Sequence, residues 1–353
     1  MGELMNTKII RIDKDNIDEN LIKEAAIYIR EGKIVAFPTE TVYGLGANGI
    51  DVIAVEGLFK AKGRPQDNPL ILHIANMEQL KPLVLDIPDI ALKCIERFWP
   101  GPLTILFRKS EIVPYMITAG LDTVAIRMPN NKVALELIKE ADRPIAGPSA
   151  NLSGKPSPTS AFHVIEDLNG KIDMIIDGGE TGVGLESTVL DLSTDKPMIL
   201  RPGGVTLEDL KELIPNVEQD LGTIKSDENI IPRSPGQKYR HYAPAADMTV
   251  YTGSLDKVIN KIKEQANELI SKGLKVGIMA TEETKNNYVD GFVQVVGSRA
   301  KKETIATNLF KVIRLFDEHG VDIILAEGVE SDNIGMAIMN RMMKASGGKI
   351  INL

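Results

Sequence analysis

KIIRIDKDNIDENLIKEAAIYIREGKIVAFP, residues Lys8 to Pro38, decides the fold class. Two short apolar runs, Lys8 to Ile12 and Lys33 to Pro38, flank a stretch whose apolar residues recur at helical spacing: Ile17, Leu21, Ala25, Tyr28 and Ile29. That spacing predicts a helix over Asn16 to Glu31, stopped by Gly32. Strand, helix, strand marks an α/β chain. Working outward, strands are expected at Leu70 to Ile74, Leu103 to Phe107, Thr123 to Met128, Ile172 to Ile176, Thr188 to Leu192 and Met198 to Arg201. Helices are expected at Val52 to Lys62, Pro88 to Trp99, Lys132 to Ala141, Ser160 to Leu168 and Leu207 to Leu213. Several strands follow one another without a helix, so the sheet should be mixed.

Residues 216–246 read differently, being polar, weakly periodic and closed by SPGQKYRHYAP. A stretch of that length without periodicity is a linker or a functional loop. Beyond it β and α signals alternate tightly: strands at Met248 to Tyr251, Lys275 to Met279, Gln294 to Val296, Ile323 to Ala326 and Lys349 to Asn352. The intervening helices are Leu255 to Ser271, Glu303 to Glu318 and Ile334 to Ser346. The expected plan is a domain over 1–215 with a twisted mixed sheet and surrounding helices, a linker or lid over 216–246, and a small Rossmann-like α/β domain over 247–353.

The 353 residues are 43% hydrophobic and 25% charged, which excludes disorder as the main theme. One cysteine, Cys94, and four histidines offer neither an internal disulfide nor a clustered zinc set. Cys94 lies in a helical pattern and reads as a small core residue. No run of 18 apolar residues occurs and the N-terminus carries acids, so a cytoplasmic protein without membrane association is expected. The formal net charge of −8 resides before residue 247, with 27 basic against 35 acidic residues there and 14 of each after. An anionic substrate would therefore need a local basic pocket.

Two nucleotide patterns fail on inspection. Gly44, Gly46 and Gly49 satisfy G-x-G-x-x-G, but PTETVY separates them from the preceding strand, and the bland reading is a tight glycine turn. Ser153-Gly154-Lys155 lacks the upstream glycine of a P-loop and has Pro156 where Ser or Thr is required. What remains is a set of segments rich in Gly, Pro, hydroxyl and basic residues: PTETVYGLG (Pro38 to Gly46), KAKGRPQDNPLILHI (Lys60 to Ile74), WPGPLT (Trp99 to Thr104), TAGLDTVAIRMP (Thr118 to Pro129), GPSANLSG (Gly147 to Gly154), GLEST (Gly184 to Thr188) and LRPGG (Leu200 to Gly204). Most fall at strand ends, where ligands bind. Lys62, Arg64, Arg127 and Arg201 supply cations suited to phosphate and carboxylate, and Thr41, Thr123, Ser149, Ser157 and Ser187 supply hydroxyls. Taken alone, His73 on its apolar strand reads as a core histidine.

KGR at Lys62 to Arg64 with SAN at Ser149 to Asn151 matches the K-x-R … S-x-N pattern of the YrdC domain, and the other blocks resemble that domain too. PGQKYRHYAP (Pro235 to Pro244) and GMAIMNRMMKAS (Gly335 to Ser346) resemble the linker and C-terminal domain of the long, two-domain form of the threonylcarbamoyl-AMP synthase family. The resemblance implies a YrdC-like N-terminal fold and a nucleotidyltransferase that condenses L-threonine, bicarbonate or CO2 and ATP to threonylcarbamoyl-AMP, releasing pyrophosphate. It implies an L-threonine pocket of Thr41, His73, Arg127, Gly147 and Ser187. It implies ATP at Arg64, Asn68, Thr123, Ser149, Ser157 and Arg201, with Lys62 and Asn151 nearby and Tyr242 folded back over the nucleotide. Lys62, Arg64 and Arg201 are the expected catalytic cations, and Mg²⁺ is expected on the phosphates with no protein ligands. The implied partner is a downstream threonylcarbamoyl transferase complex, tRNA being met indirectly or weakly. Two rivals stand behind this reading. An RNA-binding module without turnover is opposed by the acidic balance and the lack of interleaved aromatics. A hydrogenase-maturation relative would need C-x-x-C ligand pairs, which the chain lacks.

Overall fold

The computed structural model describes residues 6–220, 232–235 and 241–353. Residues 221–231 and 236–240 of the expected linker, including Gly236 to Arg240 of its closing motif, lie outside the described residues.

The strands of the larger sheet are β1 (Lys8–Arg11), β2 (Val35–Phe37), β3 (Gly44–Asn48), β4 (Ile71–His73), β5 (Leu103–Arg108), β6 (Thr123–Arg127), β7 (Ile145–Ala146), β8 (Met174–Asp177), β9 (Thr188–Asp191), β10 (Met198–Arg201) and β11 (Glu218–Gln219). They run in the order β1-β8-β2-β3-β7-β4-β6-β5-β9-β10-β11. Parallel pairs such as β1 with β8 and β4 with β6 mix with antiparallel ones such as β2 with β3. Helices α1 (Glu19–Arg30), α2 (Val52–Lys62), α3 (Met77–Leu80), α4 (Asp89–Phe98), α5 (Tyr115–Thr118), α6 (Lys132–Ala141), α7 (Ala161–Leu168) and α8 (Leu207–Leu213) accompany it. Successive strand residues go to opposite faces. Val35 and Phe37 enter one apolar cluster with α1 and α6, while Ala36 enters the other. Cys94 is fully buried in the latter, as its helical setting implied.

The smaller sheet is parallel throughout: β12 (Asp247–Thr252), β13 (Val276–Thr281), β14 (Phe292–Gly297), β15 (Ile323–Glu327) and β16 (Ile350–Asn352), in the order β14-β13-β15-β12-β16. Helix α9 (Leu255–Ser271) covers one face, and α10 (Lys302–Glu318) with α11 (Ile334–Ala345) covers the other. Both sheets have the mixed or Rossmann-like α/β character that the patterning predicts.

Two local expectations are corrected. Helix α1 starts at Glu19 and not at Asn16, because the Asp18 side chain accepts from the backbone N–H groups of Asn20 and Leu21 and caps it there. Gly44 to Asn48 is a buried strand and not a glycine turn. A Cβ at Gly44 would stand 2.8 Å from the Phe37 ring, and one at Gly46 would stand 2.9 Å from the Val35 carbonyl. The glycines thus allow close packing beneath β2.

The two domains meet through buried ion pairs. Arg341 of α11 donates to Glu186 at 2.8 Å, and Arg314 of α10 donates to Asp167 at 2.8 Å. At Gly184 the backbones touch: φ is +79°, and a Cβ there would stand 2.4 Å from the Thr307 Cα.

Candidate functional site

Register brings the first functional side chains together. In the parallel pair β4–β6, His73 is the register partner of Arg127, so both close their strands at the same end and on the same face. Antiparallel β7 flanks β4, and the Gly147 N–H donates to the Ile71 carbonyl at 2.9 Å. A Cβ at Gly147 would stand 2.7 Å from His73 Nδ1, so only glycine lets this backbone lie over the imidazole. Phe37 meets the same ring edge-on at 5.8 Å. Burial, then the neighbouring Arg127 charge, pushes His73 down to about 3, which leaves a neutral imidazole with Nδ1 unpartnered.

Arg127 is 3% exposed. Its Nε donates to the Gly101 carbonyl at 3.1 Å and its Nη1 to Thr41 Oγ1 at 2.9 Å. Nη2 lies 2.7 Å from Glu40 Oε2, an ion pair out of line for a hydrogen bond. Thr39 Oγ1, 2.9 Å from Thr41 Oγ1, fixes that hydroxyl from behind. Across the site, Ser187 Oγ lies 2.7 Å from Thr104 Oγ1 and accepts from Arg201 at 3.1 Å.

These groups open onto a cavity of about 730 Å³ of empty space, partly open to solvent. Its other wall is basic. Lys62, at the end of α2, directs its ammonium onto the Ser149 carbonyl at 2.7 Å, the Asn151 carbonyl at 2.6 Å and Asn151 Oδ1 at 3.0 Å. Burial, then the Arg64 charge, lowers the Lys62 ammonium well below its ordinary value. Ser149 Oγ donates to Asn151 Oδ1 at 2.6 Å, so the SAN turn is held as one unit. Arg64 donates to the Asn68 and Pro69 carbonyls. Arg201 donates through Nε to the Ser187 carbonyl at 3.0 Å, and burial pulls it down to about 10.

The structure therefore brings Thr41, His73, Arg127, Gly147 and Ser187 together with Lys62, Arg64, Ser149, Asn151, Arg201 and Tyr242 around one cavity. Three other expected residues do not line it. Asn68 is buried beside Arg64 with Oδ1 unpartnered. Ser157 is buried behind the wall, donating to Glu186 Oε1 at 2.5 Å. Thr123 opens β6, four residues from Arg127 and about 13 Å along the strand. Tyr242 is buried with φ at +64°, its ring 5.1 Å from Phe310 of the C-terminal domain.

Reading the sequence alone missed Glu40, Glu186 and His241. Glu186 is the carboxylate within GLEST. Burial opposes its ionisation, yet Arg341 and Arg201 outweigh that and hold it below the usual carboxylate range. His241 lines the cavity with a neutral ring and an unpartnered Nε2, pushed well down by burial and then Arg64. Gly154 and Lys155, set aside as a failed P-loop, line the cavity as well. A carboxylate between apolar Leu185 and the hydroxyls of Ser187 and Thr188 is the signal that marks Glu186.

Comparison with known proteins places the chain in a family. The Sua5/YciO/YrdC family model, described as "Telomere recombination", matches residues 27–203, and the "Threonylcarbamoyl-AMP synthase, C-terminal domain" model matches residues 205–347. A threonylcarbamoyl-AMP synthase of Pyrococcus abyssi is 52% identical over 98% of this chain and all of its own. One from Bacillus subtilis is 48% identical over 96% of each chain. The crystal structure of P. abyssi Sua5 complexed with L-threonine superposes with a TM-score of 0.93, covering 98% of this chain and 100% of that one. The chain belongs to the threonylcarbamoyl-AMP synthase family in its two-domain form.

Proposed function

We propose that this cavity joins L-threonine, bicarbonate or CO2 and ATP into threonylcarbamoyl-AMP, releasing pyrophosphate. The observation that carries the reading is the two-ended cavity. Arg127, Thr41, His73 and Gly147 shape an amino-acid end, and Lys62, Arg64, Arg201 and the SAN turn shape a phosphate end. The threonine amine and CO2 form a carbamate, one oxygen of which attacks the α-phosphorus of ATP. The bond from that phosphorus to the bridging oxygen breaks, and pyrophosphate leaves with the electron pair. The nucleophile belongs to the substrate, so the protein's contribution is positioning and charge stabilisation. Arg127 presents a guanidinium fork toward the threonine carboxylate, while Arg64 and Arg201 offset charge gathering on the phosphates. Neutral His73 packs against the amino acid without adding a second cation.

Mg²⁺ enters with ATP as part of the substrate. Among the described residues no cluster of three or more His, Cys, Asp or Glu could hold a metal. The carboxylate that lines the cavity, Glu186, already serves Ser157 and Arg341. The residues present thus fit an ion held by phosphate oxygens and water. Pro235 and Tyr242 lie on the cavity wall, which supports a closing linker that excludes water from the labile adenylate. The product passes to a threonylcarbamoyl transferase that modifies tRNA, and the setting is cytoplasmic. Among the described residues no helix is long and apolar enough to cross a membrane.

The test is pyrophosphate release from ATP and bicarbonate with and without L-threonine, followed by mass analysis of the nucleotides. Threonine-dependent release with a threonylcarbamoyl-AMP peak is expected. Release indifferent to threonine would refute the assignment of the amino-acid end.

A further inference from the structure

Helix α11 carries Arg341 within its largely apolar GMAIMNRMM stretch, and Arg341 is fully buried. Its guanidinium leaves its own domain. Nε donates to Glu186 Oε2 at 2.8 Å and Nη1 to the Pro202 carbonyl at 2.9 Å. Both acceptors adjoin site residues, since Glu186 precedes Ser187 and Pro202 follows Arg201. Those two loops are themselves in backbone contact. A Cβ at Gly203 would stand 2.3 Å from the Thr188 nitrogen and 2.4 Å from the Ser187 carbonyl carbon. Arg201 then spans them by donating to Ser187. The other oxygen of Glu186 takes the Ser157 hydroxyl at 2.5 Å, and the Arg341 guanidinium lies 5.6 Å from the Tyr242 ring. One C-terminal side chain therefore holds the GLEST loop and the LRPGG loop, reaches Ser157 through Glu186, and packs near the tyrosine of the returning linker.

We propose that Arg341 is a positioning residue for synthesis: through Glu186 and Pro202 it sets Arg201 at the nucleotide end, with Ser157 held behind the wall, so docking of the C-terminal domain completes the active site. The inference rests on the proposed reaction. It goes beyond it by giving the second domain a part in the chemistry's geometry, distinct from carrying a lid. The planar fork places fixed donors on the Glu186 carboxylate and the Pro202 carbonyl from one rigid group, a geometry that a shorter, flexible stem carrying an ammonium does not reproduce. A buried ion pair is a poor source of stability but a good device for fixing one arrangement, which is the use made of it here.

The experiment uses the full chain with Arg341→Lys, Glu186→Gln and the double variant, measuring steady-state pyrophosphate release and melting temperature. Arg341→Lys keeps the charge and is the variant chosen to stay folded. It should raise KM for ATP or lower kcat by about tenfold while KM for L-threonine stays within about twofold. The double variant should be no worse than the weaker single, because both act along one path. Arg314→Met serves as comparator. It breaks the other buried interdomain pair, whose partners Pro156 and Asp167 do not line the cavity. Activity lost in proportion to melting temperature in both arginine variants, or equal loss of ATP and threonine recognition, would overturn the proposal and leave Arg341 an interface residue. The unsubstituted chain, run alongside, tests the reaction separately: if it shows no threonine-dependent release, the functional reading has failed rather than this inference.

Discussion

Arg127 and Glu40 stand as a buried ion pair, Nη2 to Oε2 2.7 Å, in which the carboxylate makes no hydrogen bond. The two faces of the guanidinium are thus used differently. Nε and Nη1 are held by Gly101 and Thr41, and Nη2 faces a carboxylate that is close but out of line. A substrate carboxylate approaching from the cavity can take better-aligned donors than Glu40 does, since aligned charge-assisted bonds are the stronger ones.

It follows that Arg127→Ala should cost L-threonine affinity by one to two orders of magnitude, roughly the loss of a charge-assisted bond, while ATP still binds. Calorimetric titration of each ligand separately checks this. Parallel loss of both would move Arg127 to a general structural role.

A second expectation concerns the domain seam. Gly184 has φ at +79° and no room for a Cβ beside Thr307 and Ala306. Gly184→Ala should strain the loop by roughly 1–3 kcal/mol and push α10 away from the N-terminal domain. Limited proteolysis should then cut faster between the domains, with the N-terminal domain itself surviving. An unchanged cleavage rate would mean that the interface accommodates the methyl group.

How much of this was legible beforehand can be judged residue by residue. Alternating and helical spacing placed most strands and helices, because burial on one face leaves a periodic trace. It failed at β3, where glycines carry no hydrophobic signal although the strand is entirely buried, and at the two-residue β7 and β11. In the site, Arg127 was visible among the cations at strand ends, whereas His73 taken alone reads as a core histidine. Glu186 and Arg341 were not joined. A contact across 155 residues leaves no mark in local spacing, and an arginine within GMAIMNRMMKAS reads locally as part of a core helix. Asp18 shortened α1 for a reason equally local, a cap that the hydrophobic period does not register.

Burial of His163 makes a statement about acid stability. It is 6% exposed, accepts a hydrogen bond from the Thr159 N–H at 3.2 Å, and is pushed down to about 4, first by burial and then by Arg314. The unfolded histidine keeps its ordinary value of about 6.5. Between those values the unfolded chain binds a proton that the folded chain refuses, so stability falls as pH drops from about 6.5 toward 4. His73, pushed down to about 3, adds to the same slope. His163→Gln should therefore flatten the acid limb, retaining on the order of 2 kcal/mol relative to the parent between pH 6.5 and 4. Urea unfolding at pH 7 and pH 4.5 measures the difference. An unaltered pH slope would show that His163 already protonates in the folded protein.

Lys62 gives the last expectation, and its geometry sets the direction. Three acceptors at 2.6, 2.7 and 3.0 Å surround one ammonium, which has three donors to give. In this arrangement Lys62 has no donor left for a phosphate. It acts by holding the Ser149–Asn151 turn, and its charge is felt through space. Lys62→Met would keep most of the side chain's length but leave two backbone carbonyls without their donor, while Asn151 Oδ1 keeps the Ser149 hydroxyl. Each such buried acceptor costs about 1–3 kcal/mol unless water reaches it. The cavity side of the turn is close enough to solvent for partial rescue, so the variant should fold with a lowered melting temperature. Its KM for ATP should rise by at least about tenfold, because the turn that faces the nucleotide is no longer fixed and one positive charge is gone. Lys62→Arg separates the two causes. It restores the charge but cannot place donors on all three acceptors from a planar fork. Recovery of ATP affinity in Lys62→Arg would assign the effect to charge; continued loss would assign it to the turn, which is the outcome the three short contacts predict.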